Sequence, residues 1–218
     1  MTSTKATLWG LGFGVCLVLD QMIFQKFLLN DGNWLVSVSH VVTDLALGVY
    51  WFTISLSLFF VFTIGKRITR SEEIHNQLIE ARNWASHFFL ALCSTGLVVV
   101  TLKFIVGRAR PSTMNPYGAL PFLNQPFNWS YLYQSFPSGH SQVIFCVATL
   151  LCVIWPKQKP IFLVLASLIA ITRVFSLMHF LSDVYVGMFI GKYGSQLSLD
   201  FWSRWVKLPF SKNSRHAP

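Results

Sequence analysis

Charge is scarce in this sequence. Only 11% of its 218 residues are Asp, Glu, Lys or Arg, where a soluble domain carries about 25%. Acidic residues number eight, against 17 Lys and Arg. So few charges leave little to coat a water-facing surface, which excludes an ordinary soluble domain. The four cysteines, Cys16, Cys93, Cys146 and Cys152, form no Cys-x-x-Cys pair, and each lies inside an apolar run. That spacing excludes a zinc motif and a disulfide framework and leaves packing as their role. No other metal-binding cluster stands out, so no metal or cofactor is expected. The net charge of +9 would suit nucleic acid. Its cations fall between apolar runs instead of forming one basic stripe, which argues against that partner.

What the chain has is apolar surface. Hydrophobic residues make up 53%, with 20 Phe. A spanning helix needs about 20 mostly apolar residues, and six stretches qualify as candidates: 6–28, 45–65, 84–107, 139–156, 160–177 and 182–200. The first has no clear small-x-small cleavage site and reads as a helix, not a signal peptide. Asp20 sits inside it, as a helix-packing hydrogen-bond acceptor or, alternatively, as a residue near a functional site. The expected fold is all-α: an integral membrane bundle of six helices forming a single domain over residues 1–218.

The connections separate by charge. Segment 66–82 carries Lys66, Arg67, Arg70 and Arg82, and Thr69 with Glu72 reads as the capping box of a short surface helix. Lys157 and Lys159 mark another basic turn, and Arg204, Lys207, Lys212 and Arg215 mark the tail. The loop 29–44 on the other side has no Lys or Arg. The positive-inside rule places the basic connections and both termini in the cytoplasm. The long loop 111–138 then faces outward; its prolines and glycine argue against regular structure, and its aromatics suit the membrane–water interface.

Three polar clusters reach this outer level. The first is KFIVGRARP. Lys103 and Arg110 are two helical turns apart, hence on one face, with Pro111 ending the helix. Arg108 falls off that face and reads as solvated or headgroup-contacting. Snorkelling is the plain alternative for Lys103 and Arg110. The second is SFPSGHS, in which Pro137, Ser138 and Gly139 open a helix whose free N–H groups suit phosphate, with His140 beside them. The third is TRVFSLMHFLSDVYVG. Arg173 ends one helix, and His179 and Asp183, four residues apart, face one way on the next. A carboxylate there can fix the imidazole tautomer. A structural His–Asp pair is the alternative. Intramembrane charges cost about 2.5–3.5 kcal/mol each on insertion scales, so this many at one level point to a site for a doubly negative group.

Together these residues resemble the type-2 phosphatidic acid phosphatase superfamily. Its signature is Lys-x6-Arg-Pro, Pro-Ser-Gly-His and Ser-Arg-x5-His-x3-Asp. Two positions depart from it: Thr172 stands for the Ser before Arg173, and Leu177 stands for a Gly two residues before the His. The resemblance implies that His179 is the nucleophile, forming a phosphohistidine. Asp183 orients it, and His140 protonates the leaving oxygen and then activates water. Lys103, Arg110, Ser138, Gly139 and Arg173 hold the phosphoryl oxygens. Imidazoles with ordinary pKa values near 6.5 suit such work. The implied substrate is a lipid phosphate in the bilayer, such as lipid A or undecaprenyl diphosphate. The implied location is a bacterial inner membrane with the site facing the periplasm, and no obligate protein partner is expected. Two alternatives stand beside this reading: a lipid-to-lipid phosphotransferase with the same site, and a non-enzymatic transporter or lipid-binding protein.

Overall fold

The computed structural model describes residues 3–28, 34–114 and 123–205. Lys207, Lys212 and Arg215 of the basic tail and part of the long loop lie outside the described residues. Within them the chain is helical, with no strand. The α-helices are α1 (Ser3–Leu28), α2 (Trp34–Thr43), α3 (Gly48–Ile68), α4 (Glu72–Val106), α5 (Gly139–Ile154), α6 (Lys159–Phe175), α7 (Leu181–Phe189) and α8 (Ser195–Trp202). A π-helical turn, Ile190–Gly194, joins α7 to α8.

Among the described residues, four segments are long and apolar enough to cross a membrane: Ala6–Lys26, Gly48–Ile68, a window within Glu72–Thr113, and Pro156–Phe175. Helix α5 is apolar but shorter, and α7 continues into α8 only through the π turn. The structure therefore shows an all-helical membrane bundle with four candidate spans among the described residues, and the sixfold count expected from hydropathy is not confirmed. The outer faces of α1, α3, α4 and α6 leave Leu11, Val18, Phe60, Val61, Leu97, Val164 and Leu168 exposed, as lipid-facing side chains are.

Helix α4 differs from expectation. No separate surface helix precedes it. Its 35 residues rise about 52 Å at 1.5 Å each, well beyond a hydrocarbon core of about 30 Å. Its first turns therefore project beyond the core on the basic side. Its cap is Ser71, whose Oγ accepts from the Ile74 N–H. Thr69 instead closes α3, its N–H bonded to the Gly65 carbonyl. The expected loop 29–44 also contains α2.

Helix α5 is the centre of the bundle. Every residue from Ser141 to Leu150 is buried. One side packs Ile144, Phe145 and Ala148 against Ala166, Ala170 and Val184. The other packs Val143, Cys146, Val147 and Leu150 against Ala91 and Leu92. In lipid the tails are as apolar as the side chains, so close van der Waals packing through small residues holds helices together. Gly187 shows this: a Cβ there would overlap the Ser138 carbonyl oxygen. A polar tie adds to it, as Gln142 donates through Nε2 to Thr95 Oγ (2.6 Å), joining α5 to α4.

Candidate active site

The C-terminal end of α4 is set by Gly107, not by Pro111. Gly107 has φ 55°, and a side chain there would collide with the Gln125 carbonyl. Gln125 N–H in turn bonds to the Gly107 carbonyl at 3.0 Å. Only glycine takes that conformation and contact without penalty. The chain then leaves the helix, so Lys103 and Arg110 do not share a helical face. They meet instead on the loop preceding α5. Lys103 Nζ donates to the Gln134 carbonyl. Arg110 donates to the carbonyls of Tyr131 (2.9 Å), Met178 (3.0 Å) and Gln134 (3.4 Å). Its guanidinium lies 3.8 Å from the centre of the Tyr131 ring.

Ser138 caps α5, its Oγ accepting from the Ser141 N–H and hydroxyl. Gly139 begins the helix beside the Lys103 stem: a Cβ there would lie 4.0 Å from Lys103 Cε. His140 follows, half-buried and within electrostatic reach of Arg173, Lys103 and Arg110. Arg173, in the last turn of α6, donates through one terminal nitrogen to Thr43 Oγ (3.1 Å). Its Nε is buried with no partner among the described residues.

His179 is not on a helix as expected. It precedes α7, whose cap position is Phe180. Its backbone N–H bonds to the Arg173 carbonyl at 3.1 Å. Its Nδ1 lies 2.6 Å from the Ser135 carbonyl oxygen. A carbonyl can only accept, so Nδ1 carries the proton and Nε2 keeps its lone pair. Asp183 Oδ2 is farther away, 3.8 Å from Nδ1. That oxygen accepts from Ser135 Oγ (2.6 Å) and the Phe180 N–H (2.9 Å). Ser135 thus links the pair: its hydroxyl holds the carboxylate and its carbonyl holds the imidazole. Burial, above all, pushes the His179 imidazole well below its ordinary pKa; Asp183 opposes this, and Lys103 and Arg110 reinforce it. The ring is neutral at pH 7, not poised near 6.5.

The three clusters meet in space. Ser138 N–H bonds to the Asp183 carbonyl at 3.0 Å, and Arg110 reaches the Met178 carbonyl next to His179. Lys103, Arg110, Ser138, Gly139, His140, Arg173, His179 and Asp183 therefore surround one neighbourhood. Sequence reasoning missed Ser135, Thr43 and Tyr131. It also misjudged Arg108, which is neither solvated nor at a headgroup. Arg108 is 1% exposed and pairs with Asp183 (2.6 Å) and Asp20 (2.9 Å).

An all-helical membrane bundle that gathers a buried imidazole, a carboxylate and three cations at the mouth of one helix is a phosphate-handling architecture. The chain belongs to the PAP2 superfamily, which residues 84–206 match. A lipid A 1-phosphatase of Rhizobium etli is 29% identical over 151 residues, covering 69% of this chain and 64% of that protein. One of Rhizobium johnstonii is 29% identical over 150 residues, covering 69% and 61%. The chain thus spans less than two thirds of the length of these relatives. Among solved structures, LpxE of Aquifex aeolicus has a TM-score of 0.56 at 24% identity, over 82% of this chain and 93% of that one. A transmembrane PAP2-type phosphatidylglycerolphosphate phosphatase of Bacillus subtilis also has a TM-score of 0.56, at 22% identity over 91% and 96%. These likenesses concern the fold.

Proposed function

We propose that the protein is a lipid phosphatase that hydrolyses a phosphate ester of a membrane lipid through a phosphohistidine on His179. The observation that carries this reading is the Nδ1–H bond from His179 to the Ser135 carbonyl. It leaves Nε2 as a neutral nucleophile among Lys103, Arg110 and Arg173. Arg173 Nε, buried without a partner among the described residues, is a donor suited to a phosphoryl oxygen.

In the proposed reaction Nε2 attacks phosphorus and the bond from phosphorus to the lipid oxygen breaks. His140 gives its proton to that oxygen, and the dianionic substrate supplies the negative charge that keeps the proton on His140 amid three cations. His140 then takes a proton from water as the water oxygen attacks phosphorus. The N–P bond breaks, inorganic phosphate leaves, and both imidazoles are restored. Lys103, Arg110, Arg173, the Ser138 side chain and the Gly139 N–H stabilise the charge that spreads over the equatorial oxygens.

Basic residues mark the opposite ends of the helices, at Lys66, Arg67 and Lys157. The site therefore faces away from the cytoplasm by the positive-inside rule, which in a bacterial inner membrane is the periplasm. The 1-phosphate of a lipid A type glycolipid is the first substrate to test, on the strength of the two rhizobial relatives. Residues 1–218 act as one domain, because α1 is bonded into the site although it lies outside the family match.

The test measures free phosphate from lipid A, undecaprenyl diphosphate, phosphatidylglycerol phosphate and phosphatidic acid in detergent. One of them is hydrolysed, and His179→Ala and His140→Ala abolish release while still inserting in the membrane. No release from any of the four, or full turnover by His179→Ala, contradicts the reading. A radiolabelled donor distinguishes the phosphotransferase alternative, because label then appears in an acceptor lipid instead of as free phosphate.

A further inference from the structure

A buried charge network adjoins the site through Asp183. Arg108 is its hub. One terminal nitrogen donates to Asp183 Oδ1 (2.6 Å) and Ser182 Oγ (2.7 Å), and the other donates to Asp20 Oδ2 (2.9 Å). Its guanidinium also lies 4.1 Å from the centre of the Phe180 ring. Asp20 completes the loop. Its Oδ1 accepts from the Ser182 N–H (3.0 Å) and its Oδ2 from the Ser182 hydroxyl (2.5 Å). Asp20, Arg108, Ser182 and Asp183 are each 1% exposed or less.

Two carboxylates and a guanidinium so fully withdrawn from water are costly to assemble unless every contact is made. Packing alone does not need them, since apolar residues of similar volume would fill the space. These guanidinium contacts of Arg108 reach Asp20 and the turn 180–183, which directly follows His179. Phe180, beside His179, is held by stacking, Ser182 by three hydrogen bonds, and Asp183 by an ion pair. Asp20 comes from α1, outside the residues that match the family.

We propose that Asp20 and Arg108 are positioning residues. They fix the 180–183 turn, and through Asp183 and Ser135 they set the orientation of the His179 imidazole. Helix α1 is then part of the reaction apparatus and not only a membrane anchor. The proposal rests on the phosphatase reading given above.

The test uses the full chain in detergent and the lipid phosphate that the wild type hydrolyses fastest. Asp20→Leu removes the acceptors for Ser182 and Arg108, whereas Asp20→Asn keeps the shape and one acceptor. Binding of inorganic phosphate, followed by titration calorimetry, reports how much protein retains an intact anion site. Misplacing a reacting group by about 1 Å costs roughly 100-fold in rate. Asp20→Leu is accordingly expected to lose about 100-fold in kcat with KM unchanged. Its phosphate-binding stoichiometry stays at the wild-type value, and Asp20→Asn recovers part of the rate. Arg108→Gln follows the same pattern as Asp20→Leu. Wild-type kcat in Asp20→Leu overturns the proposal. So does a loss of phosphate binding in proportion to kcat in Asp20→Leu, Asp20→Asn and Arg108→Gln alike, which marks a merely structural role. A wild type that releases no phosphate from any lipid contradicts the phosphatase reading itself, and the proposal with it; wild-type turnover with an unimpaired Asp20→Leu sinks the positioning role alone.

Discussion

Ser135→Ala separates the two tasks the structure gives to one residue. The substitution deletes a hydroxyl but leaves the backbone carbonyl that accepts from His179 Nδ1. The hydroxyl is fully buried and donates to Asp183 Oδ2 at 2.6 Å. A hydrogen bond to a charged group contributes about 1.5–3 kcal/mol. Asp183 keeps Arg108 and the Phe180 N–H, so it is not left unpaired, and about 2 kcal/mol is the expected loss. For a chain of this size that corresponds to a drop of about 4–8 °C in Tm, read by thermal unfolding in detergent. The rate falls by no more than the whole bond is worth, about 30-fold, because the imidazole keeps its tautomer. An unchanged Tm would refute the reasoning. So would a loss of turnover as complete as that of His179→Ala, since the hydroxyl would then act on the substrate and not on Asp183.

Three further outcomes follow from particular residues. Gly107→Ala places a side chain at φ 55° against the Gln125 carbonyl, and should lose more than the ~1–2 kcal/mol of the left-handed conformation alone; denaturation of the purified variant measures it. His179, held below its ordinary pKa by burial, takes up a proton on unfolding, so its share of stability is complete above about pH 6.5 and declines as pH falls below it, by about 1.4 kcal/mol per pH unit at most. His179→Asn should flatten that part of the stability profile, and an unchanged profile contradicts the burial argument. Phosphate release should persist in excess chelator, because in the proposed reaction three cations and the α5 N-terminus hold the phosphoryl oxygens; a loss restored by one specific metal would contradict that scheme.

The parts of the candidate site that were legible in the sequence are those with a local chemical signature. Scarce charges inside apolar runs made Lys103, Arg110, His140, Arg173, His179 and Asp183 conspicuous, and alternation of spans put them at one level. Local periodicity failed where the backbone leaves the helix. Lys103 and Arg110 were assigned to one face, but Gly107 ends α4 between them, and they converge through carbonyls of the loop before α5. Arg108 looked peripheral for the same reason: its partners are Asp20 and Asp183, 88 and 75 residues away, and no spacing rule connects them. Ser135 acts on His179 through its backbone carbonyl, a group every residue has. The long helix α4 was divided in two because polarity changes at its membrane boundary while helical geometry does not. Leu177 stood out as a departure, and it adopts φ 55°, a conformation that favours glycine.

The proposed mechanism depends most on His179 Nε2 attacking phosphorus. A lipid phosphate carrying radioactive phosphorus, mixed with the full chain and quenched in alkali within the first turnover, tests that directly, with the labelled peptide identified by mass spectrometry. The expected result is an acid-labile phosphoryl group on His179, absent from His179→Ala. Label on another residue, or turnover with no labelled protein at any time, would contradict it.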